Sequence, residues 1–359
     1  MRFLTLLIPI LGAGSALAHH MATNIWIDGV NQGAGTCMRI PRNTDPVTNV
    51  YSEDMACNVG RNKQEAITCA ANAGSRVTVQ WRIWPDGSND GPIDPSHQGP
   101  CAVYMKRMGL GGSGAVAGGG WFKIWHDGFR DGAFCTERLR RNGNKMDFSI
   151  PSNLAGGYYT LRAESLALHQ GGKPGGAQWY IGCAQLFVYS TGGNSQPTDT
   201  VSIPGYVDPY HKGVLFNYWL NKTPSNYQIP GPEPRFSIVS SPGKSPIKVP
   251  FKPHNYGECV VKNANWCAVS PPRFTDTPGC WASSKNCWDQ LDTCYRTAPV
   301  TGNSGCREWE KTCTKLQALC HSCRWHGTCN GGSKTKRSIL EDRHGRFEKI
   351  KAHVAANKA

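Results

Sequence analysis

The runs GYYTLRAESLAL (157–168) and AQWYIGCAQLFVY (177–189) decide the fold. Both are rich in branched and aromatic residues, and the HQGGKPGG between them is a Gly- and Pro-rich break. Working outward, the same pattern recurs in NIWIDGV (24–30), RVTVQWRIW (76–84), GPCAVYMKRM (99–108) and GGWFKIWH (119–126), each bounded by Gly, Pro, Asn or Asp. Short apolar strands separated by turn clusters predict a mainly β chain. The expected architecture is an immunoglobulin/fibronectin-like antiparallel β-sandwich with long decorated loops.

Composition narrows the class further. With 359 residues and 39% hydrophobic side chains, the chain can build a sizeable core, which excludes general disorder. Sixteen cysteines point to an oxidising compartment. Their spacing lacks the repeated Cys-x-x-Cys knuckles of a zinc protein, Cys320 and Cys323 forming a single such pair. Residues 1–18, MRFLTLLIPILGAGSALA, have a basic Arg2, an apolar run and a terminal Ala-Leu-Ala, the marks of a cleaved secretory signal. Cleavage after Ala18 would make His19 the first residue of an extracellular product. No later stretch approaches the roughly 20 apolar residues of a membrane span.

Charge and cysteine divide the rest. Residues 19–238 hold six cysteines and carry 19 Lys and Arg against 16 Asp and Glu. Residues 239–359 hold ten cysteines and carry 19 against 9, so the formal charge of +14 belongs mostly to the C-terminal part. The expected order is a signal peptide (1–18), the sandwich (19–238), a Pro-, Lys- and Ser-rich linker (239–257), a cysteine-rich module (258–330) and a basic tail (331–359). The sandwich is therefore not a nucleic-acid groove. The basic remainder suits anionic wall polymers or solubility.

Within the module, Cys280, Cys287 and Cys294 are seven apart, as are Cys306, Cys313 and Cys320. Seven residues are nearly two helical turns, so each set lies on one helix face. Pro278 suits a helix start, and Pro299 with Gly302 turns the chain between the two sets. An antiparallel helical hairpin would pair Cys294 with Cys306, Cys287 with Cys313 and Cys280 with Cys320. Trp281, Trp288 and Tyr295 repeat the same spacing and are expected to pack on the hairpin rather than bind sugar.

Candidate chemistry starts at His19. An N-terminal histidine offers an α-amine and an imidazole to one metal ion. A second imidazole completes a three-nitrogen set that suits copper. No pair of carboxylates stands in a context that argues for a hydrolase.

Five blocks occur in order: HHMATNIWIDGVNQG (19–33), DPSHQGP (94–100), GGWFKIWHDG (119–128), LRAESLALH (161–169) and GAQWYIGCAQLFV (176–188). IPGYVDPYHKG and YQIPGPEPRF follow them. Together they resemble the lytic polysaccharide monooxygenases of auxiliary activity family nine over essentially all of residues 19–238. The resemblance implies a single copper ion held by His19, through amine and side chain, and by His97, with Tyr180 axial. It implies that His169 and Gln178 donate to and orient an oxygen co-substrate. It further implies oxidative cleavage of β-1,4-glucan chains, cellulose foremost, at C1 and/or C4, with an external electron donor and O2 or H2O2. The alternative is a secreted copper- or wall-binding protein with little turnover.

A flat substrate needs exposed rings, for which Tyr206 and Tyr210 are the best candidates and Tyr51 a weaker one. Cys57 and Cys183 match positions bridged in the family. Cys37, Cys69, Cys101 and Cys135 have three possible pairings. Asn221 opens the sequon Asn-Lys-Thr and is the expected glycosylation site. Two departures stand out. Cleavage one residue later would expose His20 in place of His19. Gln98 stands where many members have lysine, a change expected to alter substrate contact. A monomer with no membrane or nucleic-acid partner completes the expectation.

Overall fold

The structure is a computed structural model that describes residues 19–190, 197–234 and 259–323. The expected signal peptide, linker and basic tail lie outside the described residues. The chain divides into two compact units, Met1–Phe251 and Lys252–Ala359.

The first unit holds two main sheets. One orders its strands β10 (Lys145–Ser149), β5 (Arg76–Arg82), β1 (Met21–Ile27) and β2 (Val30–Asn31). The other runs β13 (Val201–Ile203), β7 (Gly118–Asp127), β6 (Cys101–Arg107), β11 (Gly157–Ala167), β12 (Gln178–Tyr189) and β3 (Met38–Arg39). A short β4 (Cys69–Asn72) pairs parallel with β12, and a small hairpin joins β8 (Phe129–Arg130) to β9 (Ala133–Phe134). The other named pairings within this unit are antiparallel.

Sequence chemistry explains the layers. In β5 the alternation buries Val77, Val79 and Trp81 while the residues between them are at least partly exposed, the period of a half-covered strand. β11 and β12 pair over eleven consecutive residue pairs, from Gly157↔Val188 to Ala167↔Gln178. Residues Gln178–Val188 of β12 are all buried, so both of its faces are covered. One cover is α1 (Asp54–Cys57), tied to β12 by the Cys57–Cys183 disulfide and by Asn58 Nδ2 donating to Ile181 O at 3.1 Å. The first sheet meets the second where Gly182 of β12 faces Ala22 of β1. A Cβ at Gly182 would stand 2.3 Å from the Ala22 methyl, so only glycine admits this approach.

The four cysteines left open by spacing pair as Cys37–Cys69 and Cys101–Cys135. The latter ties the start of β6 to α2 (Cys135–Arg141).

The second unit is a β-hairpin, β14 (Cys259–Asn263) with β15 (Trp266–Val269), followed by α3 (Thr277–Thr297) and α4 (Ser304–Cys323). The disulfide ladder is as expected: Cys280–Cys320, Cys287–Cys313 and Cys294–Cys306, with Cα separations of 5.5–5.6 Å. Asp276 caps α3 by accepting from Gly279 N at 2.7 Å. Trp309 is fully buried between the helices, its indole N–H donating to Cys287 O. The β-hairpin was not expected. It carries Cys259–Cys267, and Asn263 Oδ1 accepts from Gly305 N at the start of α4. Trp281 and Trp288 pack against the two small cores, whereas Tyr295 is exposed and donates to Glu310. Among the described residues, no helix is long and apolar enough to cross a membrane.

Candidate metal centre

β12 supplies the floor of the site. Tyr180 is 1% exposed, and its hydroxyl donates to Gln178 Oε1 at 2.9 Å, as two residues on one strand face can. The same hydroxyl lies 3.0 Å from His97 Nε2.

His97 sits in the loop before β6. Its N–H donates to Asp94 O at 3.0 Å, and the next residues are pinned by Leu168 N donating to Gln98 O and Gly99 N donating to Thr136 Oγ1. Gly99 is required here: an added Cβ would stand 1.7 Å from Leu166 O. That close approach sets the imidazole of His97 beside that of His169, ring centroids 4.5 Å apart. Burial first, and then the His169 charge, push the His97 imidazole down to about 4. It is therefore neutral at physiological pH, the form in which a ring nitrogen ligates a metal.

The N-terminal arm approaches from β1. His19 is part-exposed, its ring 6.1 Å from that of Tyr180 and its Nδ1 3.2 Å from Asp45 Oδ1. His20 behaves differently. It is 1% exposed, stacks on Tyr180 with centroids 3.9 Å apart, and meets Trp81 edge-on at 5.5 Å. A histidine wedged into the core cannot serve as a free terminal chelate, so the His19 frame is the one that leaves a ring at the surface.

His19, His97, His169, Gln178 and Tyr180 thus converge on one patch. Among the described residues, no three His, Cys, Asp or Glu side chains form a metal cluster. A brace needs only two imidazoles and an amine, with the phenol behind. This donor set, nitrogen-rich with a neutral buried imidazole and one half-exposed partner, fits copper.

The expected substrate contacts separate. Tyr210 is 69% exposed and Tyr51 66%. Tyr51 lines a shallow depression of about 270 Å³ with Thr48, Asn49, Val50, Gly175 and Pro209, so it and the segment bearing Tyr210 share one surface. Tyr206 is corrected. Its ring packs on the core and edge-on against Tyr104, and its hydroxyl donates to the buried Glu164 at 2.8 Å. Glu164 also pairs with the fully buried Arg162, and a buried ion pair needs such extra hydrogen bonds. Gln98 is corrected as well. It is 6% exposed and donates inward to Pro95 O at 2.7 Å, so it offers nothing to a substrate. Asn221 is exposed, its N–H donating into the turn at Asn217 O and Tyr218 O.

One residue was not picked out from sequence. Trp219 is 54% exposed, and its indole N–H donates to the His169 carbonyl at 2.8 Å. Its signal was an aromatic pair, Tyr218–Trp219, in a polar loop two residues before the sequon.

The family model of Auxiliary Activity family 9 (formerly GH61) matches residues 19–227. The chain belongs to this family. AA9 family lytic polysaccharide monooxygenase C of Aspergillus tamarii is 39% identical over 342 residues, 90% of this chain and 90% of that protein. AA9 family lytic polysaccharide monooxygenase H of Botryotinia fuckeliana (strain B05.10) is 38% identical over 347 residues, 92% of this chain and 77% of that protein. Both alignments are too long to stop at the sandwich, so they extend into the disulfide-rich unit. Among solved structures, CvAA9A superposes with a TM-score of 0.54 at 30% identity, covering 60% of this chain and 96% of that one. A cellulose-active polysaccharide monooxygenase from M. thermophila gives 0.50 at 27%, covering 60% and 98%. This AA9 chain is accordingly a copper-dependent oxidoreductase of polysaccharides, a lytic polysaccharide monooxygenase.

Proposed function

We propose that this AA9 monooxygenase is secreted and, after loss of residues 1–18, oxidatively cleaves β-1,4-glucan, cellulose foremost, at C1 and/or C4. The single observation that carries the reading is the convergence of His19, His97 and Tyr180, with His169 and Gln178 beside them, on one face of the sandwich. The likeness to a cellulose-active monooxygenase supports the choice of cellulose.

His19, through its new amine and its imidazole, and His97 through Nε2 would hold the copper, with the Tyr180 hydroxyl behind. Copper, when bound, supplies one-electron redox chemistry toward the oxygen co-substrate. The rest is done by side chains. Tyr180, fixed by donating its hydroxyl to Gln178 Oε1, closes the inner side of the site; its contact with His97 Nε2 is one that this nitrogen would give up as a metal ligand. Gln178 spends Oε1 on that hydroxyl, so its amide N–H is what it offers the co-substrate. His169, which burial keeps below the usual histidine pKa and so favours as the neutral ring, retains one ring N–H with which to donate to and orient the same co-substrate. Tyr210, Tyr51 and Trp219 present exposed rings to stack on glucose units of a flat chain. Asn221, beside Trp219, is the proposed N-glycan acceptor. The enzyme draws electrons from an external donor, consumes O2 or H2O2, and works as a monomer.

The test is incubation of processed, copper-loaded protein with amorphous cellulose, a reductant and oxygen, read by mass spectrometry. C1- or C4-oxidised oligosaccharides are expected. Their absence on every β-glucan tried, with copper binding intact, would leave a copper-binding protein of little turnover.

A further inference from the structure

His20 is spoken for by neither the copper set nor the substrate face, yet it is 1% exposed. Its Nε2 lies 2.9 Å from Ser165 Oγ. Ser165 is the cross-strand partner of Tyr180 in the β11–β12 pairing. The His20 ring lies over the Tyr180 ring at 3.9 Å and 20°, a stacked arrangement, with Trp81 at its edge at 77° and His97 at its edge at 75°. Trp81 in turn is the β5 partner of Ala22, and Ala22 rests on Gly182, two residues beyond Tyr180.

We infer that His20 is a positioning residue that fixes the N-terminal arm and Tyr180 against each other. The inference rests on the copper-brace reading above. One side chain bridges the two sheets: it is anchored on β11 through Ser165, it covers the ring of the tyrosine on β12, and it precedes β1. His19 is covalently one residue away. The terminal chelate and the tyrosine hydroxyl therefore cannot shift independently while His20 is seated. An alanine at this position would remove both the stack and the Ser165 anchor, freeing the arm at its root and uncovering one face of Tyr180. A phenylalanine would restore the stack without the anchor. The two contributions are thus separable.

The experiment compares processed wild-type protein with His20→Ala, His20→Phe and Ser165→Ala. Copper affinity is read by titration calorimetry, the Cu(II) environment by electron paramagnetic resonance, and the Tyr180 ring by carbon-13 tyrosine NMR of the metal-free protein, assigned with Tyr180→Phe. His20→Ala is expected to weaken copper binding about 10-fold, alter the Cu(II) spectrum and move the Tyr180 ring resonance. His20→Phe should keep a stacked Tyr180 resonance and a near-native Cu(II) spectrum. Ser165→Ala should cost about threefold in affinity. Wild-type affinity, Cu(II) spectrum and Tyr180 resonance in His20→Ala would overturn the inference. If that variant does not fold, wild-type copper affinity in both His20→Phe and Ser165→Ala overturns it instead, since each lacks the anchor. Failure of the wild-type protein to bind copper would overturn the functional reading and be distinguishable from both.

Discussion

The two units bury polar chemistry in opposite ways. In the sandwich, the buried set around β11 and β12 includes Arg162, Glu164, Lys123, Gln178 and His97, each carrying a hydrogen-bond partner that its neighbours supply. In the second unit, the main core cluster is Cys287, Cys294, Cys306, Cys313, Leu291 and Trp309 of the helices with Ala268 of β15, with disulfides where a larger protein would place apolar side chains. A sandwich of this size gains enough from its core to hold polar groups in fixed geometry, which a reactive site requires. A hairpin of two helices cannot, and is held by covalent rungs instead.

The largest test of that contrast is His97→Ala. It should abolish tight copper binding and polysaccharide oxidation, measured by calorimetry and product mass spectrometry, while leaving helical circular dichroism unchanged. Retained oxidation would show that the brace is misassigned.

Next in size is the middle rung of the hairpin. Replacing Cys287 and Cys313 together by serine should destabilise the second unit by about 2–5 kcal/mol, seen as faster proteolysis between residues 259 and 323. Oxidation of soluble substrate should persist. Equal loss of stability in the sandwich would break the picture of two separately held units.

Within the sandwich, Tyr206 and Tyr210 offer a sharper comparison. Tyr206→Phe removes a hydroxyl from a buried carboxylate and should cost about 1.5–3 kcal/mol in denaturant unfolding, with cellulose binding unchanged. Tyr210→Ala should do the reverse, weakening binding by about 0.5–1.5 kcal/mol at constant stability. A binding defect in Tyr206→Phe alone would return that residue to the substrate face.

The smallest effect is acidification of the metal-free protein. Burial holds His97 near 4 and keeps His126, His169 and His211 below their ordinary value. An unfolded chain takes up these protons near pH 6.5. Between the two values it binds more protons than the folded chain, so this stability is present above about pH 6.5 and is lost as pH falls toward 4. The sandwich transition should drop by at least about 2–4 °C across that window. The hairpin, which has no buried histidine among the described residues, should stay level in the same calorimetric scan.

Much of this was legible before any coordinates. The ladder followed from a seven-residue cysteine period, because helical geometry is local and periodic. The strands followed from short runs rich in branched and aromatic residues, each bounded by Gly, Pro, Asn or Asp. The proposed copper set came from blocks matched in order. Tyr206 and Gln98 were misread for a common reason. Both are polar residues in loops, and sequence alone gives such residues to solvent. Glu164 and the Pro95 carbonyl, the partners that turn them inward, come from elsewhere in the chain or from a local turn. Trp219 was missed because exposure beside His169 is a contact across 50 residues.

By itself, then, the sequence determined the helix hairpin and its rungs, the strand content, and which residue types could hold copper, since these depend on period and on donor chemistry. Tertiary structure decided the Cys37–Cys69 and Cys101–Cys135 pairings, which aromatic rings face outward, and which of two adjacent histidines is free. The last point is physical: His19 and His20 are chemically identical, and only Ser165, Trp81 and Tyr180, brought together by the packing of β1 on β12, distinguish the one that is buried from the one that is not.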